Sequence, residues 1–192
     1  MDREFKDELH GKRIVLKRTK PEIETARIMF KTIDANREHL RPWLSWEKFT
    51  ERVEDSSTYL KEKEIETLAG KKIEYGIYFE DAYAGNIAVF DINKRYQSAE
   101  VGYWLSSEFT GQGYMIEALE VVEKEFFENR NLNRMQLRCD ERNIASRKVA
   151  KKCGYTLEGK IREDRYSEYF EDLRNTLVFS KLKSEYSKER VY

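Results

Sequence analysis

Two glycines, Gly111 and Gly113, stand between a run that reads as a strand and a run that reads as a helix. The strand side is Glu100-Val101-Gly102-Tyr103-Trp104-Leu105, and the helix side begins at Tyr114-Met115. A helix N-terminus presents backbone N–H groups without intrahelical acceptors and a partial positive charge. Glycines there let a phosphate come close to those groups. The chemistry predicted is therefore binding of a phosphorylated ligand.

Three such ligands compete. A P-loop needs G-x-x-x-x-G-K-[ST], and no such run occurs. A dinucleotide fold needs a third glycine and an early first strand. Here the loop lies in the second half, behind a strand that reads as antiparallel. The third candidate is the pyrophosphate of coenzyme A.

A second polar set lies downstream. Asn143, Ser146 and Ala150 share one face of a predicted helix, while Ala145, Val149 and Cys153 line another. Asn143 with Ser146 suits a helix cap as well as a ligand contact, and both readings stand. Cys139 and Cys153 fall on apolar faces and read as buried structural thiols. The segment NREHLRPWLSW brings His39, Arg41, Trp43 and Trp46 together. It reads as a wall for an acceptor or as a satellite core. Tyr166, Tyr169 and Phe170 read as the opposite wall or as a hairpin tip over the core.

The elements that position these residues follow from periodicity. Strands are predicted at 13–18, 72–79, 84–92, 98–105, 134–139, 157–164 and 175–183. Helices are predicted at 21–35, with Ile23, Ala26 and Phe30 inward, and at 50–68, with Val53, Leu60 and Leu68 inward. The clearest helix is 113–129. There Met115, Leu119, Val122 and Phe126 form a stripe, with Glu and Lys opposite. A further helix spans 143–152 and stops at Gly154. Three strands from 72 to 105 read as an antiparallel meander. A strand–helix–strand crossover then runs from Glu100 to Cys139. The tail from 184 to 192 is expected to be loosely held.

A chain of 192 residues suits one α/β domain. Lys+Arg and Asp+Glu are both 36. This argues against general binding to nucleic acid or a membrane surface. Two cysteines without C-x-x-C and two histidines argue for a reducing compartment and against a metal site. The charged N-terminus lacks an apolar stretch, so a cytoplasmic location is expected.

The segment AEVGYWL, the loop FTGQGYMIEAL and the run NIASRKVAKKCGYTLEG together resemble the GNAT superfamily of acetyl-CoA-dependent N-acetyltransferases. With NREHLRPWLSW they are similar to its RimJ/RimL branch, which acetylates ribosomal-protein N-termini. The resemblance implies a single GNAT-like domain with a mostly antiparallel sheet of about six to seven strands. It implies acetyl-CoA as co-substrate, held by the loop Thr110, Gly111, Gln112, Gly113, Tyr114 and Met115. Pantetheine would run along the backbone of Tyr103, Trp104 and Leu105. Asn143 and Ser146 would be further coenzyme contacts. The superfamily pattern Q/R-x-x-G-x-G/A has Thr110 and Met115 at its two ends here, so backbone N–H groups carry the binding and Met115 is expected to pack. Many members have a tyrosine acid where Ala150 stands. Ser146 is the expected substitute, and Glu100 the expected base for the amine. His39, Trp43, Trp46 and Tyr169 would meet the acceptor. The acceptor is a protein N-terminus or a small amine, and a homodimer is compatible with the resemblance. A coenzyme-binding module without turnover is the reading from another class.

Overall fold

The structure is a computed structural model in which residues 4–188 are described. The chain opens with β1 (Glu8–His10), β2 (Ile14–Arg18), α1 (Ile23–Asp34), α2 (Arg37–Leu40) and α3 (Val53–Leu68). β3 (Ile73–Phe79), β4 (Ala82–Asn93) and β5 (Ser98–Leu105) follow as the meander. Then come α4 (Tyr114–Lys124), β6 (Arg134–Asp140), α5 (Ile144–Lys152), β7 (Thr156–Ser167), β8 (Asp172–Leu182) and α6 (Lys183–Lys188). All eight strands make one sheet in the order β1-β2-β3-β4-β5-β6-β8-β7. Only the β5–β6 pair is parallel, joined through α4. The eighth strand beyond the expected six to seven is β1, too short to carry a period of its own. No helix among the described residues is long and apolar enough to cross a membrane.

Each face of the sheet carries a core. On one, Ala99, Val101 and Leu105 of β5 meet Met115, Leu119 and Val122 of α4, with Ala150 of α5 and its C-cap Cys153 beside them. On the other, Trp104 packs with Ala26, Met29 and Ile33 of α1 and Leu60 of α3. The stripe of α1 is thus 26–29–33. Ile23, expected inward, is exposed, and Phe30 is only half-buried. Leu68 is also exposed: it stands one residue past the buried Thr67, about 100° around the helix.

The inward stripe of the predicted helix is as expected, and its polar side only in part: Glu120, Lys124 and Glu128 are exposed. Glu117, Glu123 and Glu125 are buried. Each is answered by a cation from a distant segment, Arg13, Lys181 and Lys6 in turn, and Glu125 also by the nearby Arg130. The predicted helix continues past Lys124 as a π-helical turn, Glu125–Asn129, which places both Phe126 and Phe127 inside. Phe127 stacks on Tyr186 at 5.1 Å. Residues 184–188, expected to be loose, therefore belong to a helix anchored by a buried tyrosine, while 189–192 lie outside the described residues.

Candidate active site

The parallel pairing of β5 with β6 ends at Val101–Leu137, although β5 runs on to Leu105 and β6 to Asp140. Beyond that point β5 stays paired with β4, and β6 with β8. The two strands therefore splay apart, and residues 102–105 present one free backbone edge to the gap. Such an edge can accept an extended ligand as an added strand. The Tyr103 and Trp104 side chains point to opposite faces. Trp104 is buried between Tyr83 and Trp46, whose ring centroids lie 6.0 and 6.3 Å away.

At the end of β5 the chain makes a short turn, Ser107–Phe109, and then the glycine loop. Gly111 has φ +77 and Gly113 φ +85, the left-handed region that side chains disfavour. The loop is folded on itself. Thr110 Oγ1 donates to the Ser107 carbonyl at 2.8 Å, and Gln112 Nε2 donates to the Glu108 carbonyl at 2.8 Å. Asn36 Oδ1 accepts from both Ser107 N and Ser107 Oγ at 2.9 Å. Tyr114 and Met115 are buried. Of the six loop residues named from the sequence, four thus have side chains committed to loop or core. What the loop offers a ligand is backbone N–H at the start of α4.

On α5, Asn143 caps the helix by accepting from Ser146 N at 3.0 Å, so the cap reading of this pair holds in the structure. The Ser146 hydroxyl lies 3.1 Å from the Tyr103 hydroxyl, which spans the gap from β5. Burial pushes the Tyr103 phenol up, opposed by its bond to Ser146. Tyr103 is therefore a neutral hydrogen-bonding partner that holds Ser146 at the gap. Ala145, expected on the packing face, is exposed, and Ala150, expected beside Ser146 on the polar face, is fully buried. One turn after Ser146 this side of α5 already faces the core, so position 150 packs. Cys139 and Cys153 are buried and free, and burial raises the Cys139 thiol.

Glu100 sits one residue before the gap, on the face opposite Tyr103. Its carboxylate accepts from Gln136 Nε2 at 3.2 Å, an uncharged partner rather than the basic residue a cross-strand ion pair would need. Burial raises the Glu100 carboxyl, against the lowering effects of Gln136 and Arg138. A second carboxylate, Asp164, is engaged by Arg138 at 3.3 Å.

A family model for the acetyltransferase (GNAT) domain matches residues 13–156. The chain belongs to the GNAT acetyltransferase family. It is 29% identical over 162 residues to the putative ribosomal N-acetyltransferase YdaF of Bacillus subtilis, covering 81% of this chain and 84% of that protein. It is 27% identical over 135 residues to a ribosomal-protein-serine acetyltransferase of Escherichia coli, covering 70% and 75%. Among solved structures, a RimL ribosomal L7/L12 alpha-N-protein acetyltransferase in complex with coenzyme A superposes with a TM-score of 0.86 at 20% identity, over 93% of this chain and 99% of that one. The microcin C7 self-immunity acetyltransferase MccE in complex with acetyl-CoA and AMP gives 0.83 at 23%, over 90% and 93%. At these identities the structures establish the GNAT fold.

On the Glu100 face of this GNAT domain, the segment around Trp43 and Trp46 meets the β7–β8 hairpin tip. Trp43 lies 5.8 Å from Phe170, which stacks on Tyr169 at 4.8 Å. Lys48 pairs with Glu168. Glu47, fully buried, fixes the segment through Arg37 at 3.1 Å and Arg41 at 2.6 Å. The aromatic groups expected on two walls thus meet in one arch, with Trp46 and Tyr169 partly open to solvent. His39, expected on the acceptor side, is exposed on α2 and has no side-chain hydrogen bond among the described residues. Under the arch, the buried Arg174 donates to Asp140 at 2.7 Å and stacks 4.1 Å from the Phe170 ring. Asp140 in turn accepts from Arg142 N at 2.7 Å, fixing the turn into α5. This network was not legible in the sequence, because Asp140 and Arg174 meet only once β6 and β8 pair.

Proposed function

We propose that this GNAT protein transfers the acetyl group of acetyl-CoA to the α-amine of a protein N-terminus by direct attack in a ternary complex. The observation that carries the reading is the placement of Ser146 and Glu100 on opposite faces of the sheet at the same gap. Acyl transfer needs an acid where the thiolate leaves and a base where the amine attacks. A thioester threaded along the free edge of residues 102–105 would meet both. The pyrophosphate would rest on the N–H groups of the glycine loop, with Asn143 and Ser146 facing the arm. The amine would enter under the Trp43–Phe170 arch, where Trp46 and Tyr169 would line its approach. The tetrahedral oxyanion would be held by backbone N–H at the end of β5.

An α-amine suits this machinery. Its pKa lies near 8 and that of lysine near 10.4, a gap of about 3 kcal/mol in deprotonation cost. One partly buried carboxylate acting through water is enough for the former. The names of the two relatives, a ribosomal-protein-serine acetyltransferase and a putative ribosomal N-acetyltransferase, support the same acceptor class.

The test is a panel of acceptors with acetyl-CoA, read by thiol release and by mass. Peptides with free N-termini should gain one acetyl on the first residue. The same peptides with blocked N-termini and an internal lysine, and polyamines and amino sugars, should not. Turnover on the small amines alone would replace this acceptor assignment. Tight coenzyme binding with no turnover on any amine would replace the enzymatic one. In the same assay Ser146→Ala should lower kcat by about tenfold, with a smaller rise in the KM for acetyl-CoA from the lost coenzyme contact. The effect falls below the usual range for a general acid because a thiol of pKa about 8.5 is already a fair leaving group. An unchanged kcat would remove Ser146 from the chemistry.

A further inference from the structure

We propose that Arg13 is the positioning residue of the coenzyme loop, holding it from outside through the Gln112 carbonyl with Glu117 as its anchor. The proposal rests on the reading of the loop as a pyrophosphate cradle. Arg13 lies at the turn into β2, 104 positions from Glu117 in sequence. Its Nη1 donates to the Gln112 carbonyl at 3.0 Å, and its Nε donates to Glu117 at 2.8 Å. Its guanidinium carbon lies 4.7 Å from the centroid of the Tyr114 ring. One planar fork thus touches the loop, the first residue of α4 and a carboxylate one turn further on. Glu117 also accepts from the Arg13 backbone N–H at 2.6 Å, so both ends of the arginine are fixed to it. Burial works to raise the Glu117 carboxyl, and the Arg13 N–H groups outweigh it and hold it ionised.

The consequence follows from peptide geometry. In a trans peptide the carbonyl of one residue and the N–H of the next point in opposite directions. Fixing the Gln112 carbonyl toward β2 therefore aims the Gly113 N–H away from β2, out of the loop. Gly111 and Gly113 both have positive φ, so the peptide planes between them can rotate cheaply unless something holds them. Among the described residues, the side-chain contact that reaches this peptide plane is Arg13. A lone cation beside a helix N-terminus is disfavoured by the dipole, and Glu117 in the first turn of α4 offsets it. Thr110, where the superfamily pattern has Gln or Arg, donates to its own turn. Ordering of the donors therefore falls to Arg13.

The experiment compares Arg13→Met and Arg13→Lys with the wild type. Coenzyme A affinity is measured by calorimetry, and kcat/KM is measured with acetyl-CoA and with acetyl-pantetheine, which lacks the pyrophosphate. Both variants should bind coenzyme A about tenfold more weakly. Lysine should not rescue, because a point charge cannot reproduce the fork. Activity with acetyl-pantetheine should be unchanged. Glu117→Gln, which keeps the fold's volume, should weaken coenzyme binding in the same direction. Wild-type affinity in Arg13→Met, full rescue by lysine, or an equal loss with acetyl-pantetheine would each overturn the proposal. A wild type that does not distinguish acetyl-CoA from acetyl-pantetheine would overturn the cradle reading itself. A wild type that does, with Arg13→Met retaining the whole difference, would overturn Arg13 alone.

Discussion

Gly113→Val is expected to raise the dissociation constant for coenzyme A by about 30- to 100-fold, with the fold retained. Gly113 caps α4 with φ +85 and ψ 1. A β-branched residue held there costs about 1–3 kcal/mol. A Cβ at this position would stand 3.4 Å from Arg13 Nη2, already in van der Waals contact, so the valine methyls beyond it would displace the guanidinium. Backbone strain and displacement of Arg13 act on the same peptide plane. In the free protein an exposed loop can relax away from the strain, so the penalty appears when the ligand requires the original geometry. An effect of about 2–3 kcal/mol corresponds to the range given. Gly111 is the internal comparison. Its φ is +77 and a Cβ there meets nothing within 4 Å. Gly111→Ala should therefore weaken binding by less than tenfold, through backbone conformation alone. Calorimetry on both variants checks the order. Equal affinity of Gly113→Val and wild type, with an unchanged melting temperature, would remove the loop from coenzyme binding.

Features encoded by neighbours in sequence were legible, and features that depend on distant partners were not. The α4 stripe, the meander, the crossover and the loop all follow from spacing within a few residues, and each stands in the structure. The glutamates of α4 look like a solvated face by the same local rule. Glu117, Glu123 and, just past α4, Glu125 are nevertheless buried, where Arg13, Lys181 and Lys6 arrive from segments far away in sequence. Leu68 and Ile23 fail in the opposite sense: local apolarity marks them for the core, and no neighbour covers them. The candidate site divides in the same way. Gly113 and Ser146 carry their meaning in the sequence around them. The contact of Tyr103 with Ser146, the arch of Trp43 on Phe170 and the grip of Arg13 on Gln112 exist only in the folded sheet.

Glu100→Gln tests the chemistry most directly, and its expected effect is a fall in kcat of about 100-fold, within the usual contribution of a general base. The substitution keeps the shape and the hydrogen-bonding partner Gln136, so only the capacity to take a proton is lost. Coenzyme A affinity should not move, because Glu100 lies across the sheet from Ser146 and the loop. The pH dependence gives a second, independent sign. Burial raises the Glu100 carboxyl above its ordinary value, so the residue is protonated and inactive as a base below that raised value. Wild-type kcat/KM should therefore rise with pH through a carboxylate ionisation shifted upward, and Glu100→Gln should lack that limb while keeping the rise due to the amine near pH 8. Stability moves the other way. A carboxyl whose pKa is raised by folding contributes stability below its unfolded value and loses it as pH rises through the folded one. Above its raised folded value the wild type has lost that contribution, so at such pH Glu100→Gln should melt at the same temperature or higher. Reduced turnover with undiminished stability separates loss of a base from loss of structure. If turnover stays at the wild-type level across pH, Glu100 is not the base, and Asp164→Asn becomes the next measurement. That carboxylate already has Arg138 beside it, so its removal leaves a cation uncompensated, and a stability loss would accompany any loss of rate.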